Sequence, residues 1–73
     1  MPSKYPVCTS DEVTRVLKKA GFAFVSQKGS HAKYTDGKHI VIIPMHDEIK
    51  RFTLKSILEQ ADMSIEHFMS LRI

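Results

Sequence analysis

Phe22–Ile43, read as FAFVSQKGSHAKYTDGKHIVII, decides the fold. Two turn signals cut it into three strand-like runs. Lys28-Gly29-Ser30 is the first, because glycine and serine suit a tight reversal. Asp36-Gly37 is the second and stronger, being among the commonest dipeptides between paired strands. Phe22–Gln27 carries the aromatic and β-branched residues of a strand. His31–Thr35 alternates, with Ala32 and Tyr34 on one face and His31, Lys33 and Thr35 on the other. His39–Ile43 is apolar on both faces, as a central or well-covered strand would be, and stops at Pro44. A two-residue turn at Asp36-Gly37 would pair Thr35 with Lys38 and set His31 opposite Ile42.

Outward from this meander the apolar period changes from two to that of a helix. Thr9-Ser10-Asp11-Glu12 reads as a capping box, followed by Val13, Val16, Leu17 and Ala20 on one helical face. Lys18 and Lys19 complement the helix dipole in the last turn, and Gly21 ends the helix. Beyond the sheet, Met45–Phe52 reads as a polar connecting loop. Thr53 is expected to cap a second helix with Leu54, Ile57, Leu58 and Ala61 on its buried face. Ser64 opens a short last helix carrying Ile65, Phe68 and Met69. The layout is α+β: helix, three-stranded antiparallel meander, helix, short C-terminal helix. One apolar stripe per helix predicts that the helices share a single face of the sheet.

With 73 residues the chain has room for one domain, residues 1–73, and one core. The lone cysteine, Cys8, excludes an internal disulfide, and no run of the sequence is long and apolar enough to span a membrane. The N-terminus lacks the layout of a signal peptide, so a reduced, cytoplasmic setting is expected. The net charge of +3 is unevenly spread. Residues 1–38 hold seven basic against three acidic residues, while 39–73 hold four against five. A basic N-terminal half suits a polyanionic partner, nucleic acid foremost.

That half contains Gln27-Lys28-Gly29-Ser30-His31. Imidazole exchanges a proton near neutral pH. On an open sheet face, His31 could take the ribose 2′-hydroxyl proton or protonate a leaving 5′-oxygen in RNA cleavage. Lys28 and Lys33 would hold the phosphate, and Ser30 with the Gly29–Ser30 amides would add hydrogen bonds to it. The plainer alternative makes His31 a polar residue after a turn, in a non-catalytic RNA-binding module. His46 is a possible second acid or base, or else a loop histidine with a local bond. His39 reads as structural and His67 as merely exposed. No histidine pair has a zinc-site spacing, so no metal or cofactor is expected, although a three-residue second turn would bring His31 and His39 together. Lys4, Lys18, Lys19, Lys50, Arg51 and Lys55 could extend a phosphate-attracting surface. Tyr5-Pro6 reads as either a packing tether or a stacking platform.

Leu17-Lys18-Lys19-Ala20-Gly21-Phe22, Gln27–His31, Ile43-Pro44-Met45-His46 and Thr53–Ala61, in this order, resemble the HicA toxins of bacterial and archaeal toxin–antitoxin pairs. The resemblance implies a double-stranded-RNA-binding-like α-β-β-β-α fold. It also implies an endoribonuclease that cleaves mRNA to arrest translation, with the glycine-serine-histidine histidine, His31, as its catalytic residue. A HicB-like antitoxin is the implied protein partner. Two positions depart from the family pattern. Phe52 stands where a glycine usually precedes the threonine of the second helix, and Asp62 stands where a glycine usually follows the glutamine-alanine pair.

Overall fold

A computed structural model describes residues 5–46 and 48–72. The elements run α1 (Ser10–Lys19), β1 (Ala23–Lys28), β2 (His31–Thr35), β3 (Ile40–Pro44), α2 (Arg51–Ala61) and α3 (Ile65–Leu71). The sheet is a three-stranded antiparallel meander in the order β1-β2-β3. This is the expected α+β architecture, and it follows from local chemistry. The Thr9 hydroxyl accepts from the Glu12 N–H while the Glu12 carboxylate accepts from the Thr9 N–H, each at 3.1 Å, closing the capping box. At the far end, Lys18 and Leu17 accept from the Gly21 and Phe22 amides, and the chain turns into β1. Ser64 caps α3 by accepting from the His67 N–H at 3.0 Å.

The core forms where the helices cover one face of β2 and β3. Val13, Val16 and Leu17 of α1, Leu54, Ile57 and Leu58 of α2 and Phe68 of α3 meet Ala32, Tyr34, Val41 and Ile43 of the sheet. Burying each large apolar side chain is worth about 1.5–3 kcal/mol, which makes this layer the main source of stability. The expected alternation in β2 is present: Ala32 and Tyr34 are buried, His31 and Lys33 exposed. No residue of β1 is buried, so this strand projects beyond the helical layer. Phe24 follows it outward, touching the edge of Tyr34 with ring centroids 5.7 Å apart.

Three details depart from the sequence reading, and a fourth concerns the position where Asp62 replaces the usual glycine. First, the β2–β3 register pairs Thr35 with Ile40 and His31 with Pro44 rather than Ile42. Asp36 explains the longer loop, because its Oδ1 accepts from the Lys38 and His39 amides at 2.9 and 2.6 Å. Thr35 Oγ1 completes the turn by donating to the His39 carbonyl and accepting from the Gly37 N–H. The displacement is two residues, so every side chain keeps its face. Second, β3 is neither central nor covered on both sides: Val41 and Ile43 are buried, but Ile40 and Ile42 face solvent. Its outer edge is partly satisfied by α2, where Gln60 Oε1 accepts from the Ile42 N–H at 3.0 Å. Third, α2 begins at Arg51 with Lys50 in the capping position, leaving Thr53 inside the first turn and no side-chain cap. The start is set by tertiary structure, since the preceding Ile49 bridges Cys8. Met45–Phe52 is therefore only partly a loop. Fourth, Asp62 adopts the left-handed conformation, φ 53° and ψ 45°. The Asp62 and Met63 amides donate to Glu59 and Leu58, the paired bonds of a Schellman helix end, and glycine is the residue that usually makes this turn.

Candidate functional site

The β1–β2 hairpin brings the sequence-selected residues together. Gly29 and Ser30 form its two-residue turn, with Gly29 at φ 60° and Ser30 outside the left-handed region, the pattern of a type II′ reversal. Lys28 and His31 are directly paired across the turn. Opposed residues of an antiparallel pair project from the same face, so Lys28, His31 and, two residues on, Lys33 lie together. This is the face away from the helices, and all three side chains are exposed.

A β-bulge separates this grouping from the core-side pair upstream in β1. Phe24 pairs with Tyr34 on the core side, whereas Ser26 pairs with Lys33 and Lys28 with His31 on the open side. The register shifts at Val25, which inverts the alternation of β1 between Phe24 and Lys28. If Val25 paired within the ladder instead, the turn would still set Lys28 opposite His31, and Phe24 would move to the open side.

The turn is anchored at two carbonyls. Gln27 Nε2 donates to Gly29 O at 3.0 Å, and the Met45 N–H donates to Ser30 O at 2.6 Å. The second bond brings the end of β3 against the turn and places His46 one residue from it. The His46 backbone is itself fixed: its N–H donates to Pro44 O at 3.0 Å and its carbonyl accepts from the Ser10 N–H at 3.2 Å. His46 thus lies beside the candidate site on an exposed segment. The brace from Gln27 was not anticipated from sequence. Its only sequence signal is an amide two residues before a turn glycine.

His39 is engaged elsewhere. Its Nδ1 lies 3.0 Å from Asp36 Oδ2 at the opposite end of β2. The His39 ring, together with the His39 and Lys38 amides, holds the Asp36 carboxyl far below the ordinary carboxylate range. His67 is exposed on α3. Among the described residues no group of three or more histidine, cysteine, aspartate or glutamate side chains could hold a metal ion, and no helix is long and apolar enough to cross a membrane. Of the other lysines, Lys19 donates to the Leu71 carbonyl at 3.1 Å and so fastens α1 to α3. Lys18, Lys50, Arg51 and Lys55 are exposed, and Lys4 lies outside the described residues.

Residues 10–63 match the family described as the HicA toxin of bacterial toxin–antitoxin systems. The chain belongs to the HicA toxin family. No curated protein matches it. As a HicA toxin it implies an antitoxin partner, and the matched span contains the turn, all three strands and α2. Both departures from the HicA pattern, Phe52 and Asp62, lie on α2 or its C-terminal turn, away from the His31 face.

Proposed function

We propose that this HicA toxin is a metal-independent endoribonuclease that cleaves mRNA, using His31 for proton transfer at the ribose-phosphate linkage. The pairing of His31 with Lys28 across an open, braced turn is the observation that carries this reading. A nucleotide can approach that face unobstructed by the helices. His31 either removes the 2′-hydroxyl proton as that oxygen attacks phosphorus or protonates the departing 5′-oxygen. Lys28 and Lys33 draw the phosphate to the imidazole and offset the charge that builds on its oxygens. Gly29 brings the backbone close to the phosphate, Ser30 offers a hydroxyl, and His46 is the nearest candidate for the second proton-transfer group. The compartment that fits this activity is the cytoplasm, where mRNA and an antitoxin would both be met.

A second reading, a non-catalytic RNA-binding module, is favoured by one feature. Among the described residues the His31 ring has no hydrogen-bond partner to orient it, as a dedicated general base usually has. Cleavage of mRNA in the presence of chelator separates the two. The nuclease reading expects the wild type to cut and His31→Ala to be slower by about 10²–10⁴-fold, the worth of a general acid or base. Equal rates for the two proteins would remove His31 from the chemistry.

A further inference from the structure

At the start of α2, Tyr5, Arg51, Phe52 and Lys55 line a slot of about 280 Å³. Phe52 is 88% exposed, the most exposed large apolar side chain described, and contributes nothing to the core. A single exposed aromatic is unremarkable. Here, however, it shares a slot with a second aromatic and two cations. Arg51 and Lys55 are one helical turn apart and so occupy the same flank of α2. Among the described residues neither takes part in a salt bridge, and no carboxylate lines the slot. Tyr5 is brought there by the pairing of Cys8 with Ile49, which lays the N-terminal segment along the approach to α2. The slot falls just under the roughly 300 Å³ at which drug-sized ligand sites begin, a scale for one planar ring system.

We infer that the slot holds one unpaired base of single-stranded RNA, stacked on Phe52, with Arg51 and Lys55 on the adjacent phosphates. An aromatic platform flanked by cations is the general solution for unpaired nucleic acid, because every base offers a π-face and every linkage a charge. Duplex RNA presents neither free base faces nor a means of entering the slot. Two aromatics and two cations lining the slot, with no carboxylate beside them among the described residues, favour this occupant over a protein segment. Met45–Lys50 connects the His31 end of the sheet to Arg51, and six residues fully extended reach only about 20 Å. One short oligonucleotide can therefore bridge both places. The inference rests on the reading of RNA as substrate and adds where the strand is gripped outside the cleavage point.

The test uses the full chain carrying His31→Ala, in chelator, titrated against a labelled single-stranded oligoribonucleotide and its duplex form. On that background, Phe52→Ala should weaken single-strand binding by about 5–140-fold, the range base–aromatic stacking spans. Phe52→Trp should preserve binding. Because the chain has no tryptophan of its own, the introduced indole is a unique fluorophore and should be quenched when RNA binds. Arg51→Ala with Lys55→Ala should flatten the log–log salt dependence by about 1.4, or about 0.7 for each phosphate released. Unchanged affinity in Phe52→Ala, with no quenching of the indole in Phe52→Trp, overturns the inference. So does a Phe52 effect equally large on duplex RNA, or one seen only on binding of an antitoxin. A cleavage assay on the wild-type protein keeps the two readings apart. Cleavage without dependence on Phe52 defeats the slot alone, and Phe52-dependent binding without cleavage defeats the nuclease alone.

Discussion

Gly29→Ala tests whether the hairpin turn, rather than the mere presence of its side chains, makes the site. Gly29 has φ 60°, and a Cβ built there meets nothing within 4 Å. The cost is thus internal to the residue, about 1–2 kcal/mol for an L-side chain in the left-handed half of the map. A stiffer unfolded chain offsets part of this, leaving a net loss near 1 kcal/mol. At this chain length that corresponds to a fall of about 4–8 °C in melting temperature. Two tethers oppose rearrangement, Gln27 Nε2 to Gly29 O and the Met45 N–H to Ser30 O. Each is worth about 0.5–1.5 kcal/mol, comparable with the strain, so many molecules will surrender the turn rather than carry it. Lys28 and His31 then lose their fixed pairing, and misplacement on the scale of an ångström costs up to about 10²-fold in rate. Gly37→Ala is the control. Gly37 also has positive φ, 96°, and open space around its Cβ, but it lies at the far end of β2. Both variants are melted by circular dichroism, then assayed for RNA cleavage at a temperature where both stay folded. Similar losses of stability are expected, with activity falling at least about tenfold only for Gly29→Ala. Equal activities would refute the claim that this turn aligns the site.

Two further outcomes concern helix ends. Asp62→Gly should stabilise the protein by about 0.5–1 kcal/mol, because it relieves a left-handed backbone and removes a carboxylate from the negative end of α2. Asp62→Asn isolates the charge effect, and a Gly variant no more stable than Asn would show that the backbone carries no strain. Glu12 is held below its ordinary pKa, chiefly by the Thr9 N–H and also by Arg72, whose Nη2 lies 3.1 Å from Oε2. A depressed carboxylate pKa means stability present above the unfolded value, near 4.3, and lost as pH falls through the folded one. Acid titration of the melting temperature should therefore show a smaller drop for Glu12→Gln than for the wild type, with a cost at neutral pH of no more than about 1 kcal/mol for this partly exposed pair.

How much of this was legible in the sequence depends on whether a feature is local. The α1 cap at Thr9, the hairpin turn at Gly29, the cap at Ser64 and the two faces of β2 are set by neighbours within four residues, and each stands as read. The start of α2 is not local. Thr53 is a good cap by composition, but the Cys8–Ile49 pairing fixes the chain two residues earlier, and Leu54 donates to Lys50 O to open the helix there. The second hairpin departs for a different reason. Asp36-Gly37 does make a turn, but Asp36 Oδ1 captures two amides and holds residues 36–39 out of the ladder.

The candidate site shows the same division, with one consequence for how it arose. Period-two alternation was enough to put His31 and Lys33 on one open face. The two-residue Gly29-Ser30 turn adds Lys28 to that face by pairing it with His31, again a local step, whereas the side taken by Phe24 depends on the single extra residue at Val25, and a bulge has no sequence signature distinguishable from an ordinary strand residue. The exposed position of β1 is what permits it. A bulge in a strand sealed under helices would displace core side chains, whereas no residue of β1 is buried. The strand that contributes least to the core is thus the one free to invert its faces, which keeps Phe24 on the side of Tyr34 while the turn holds Lys28 beside the imidazole.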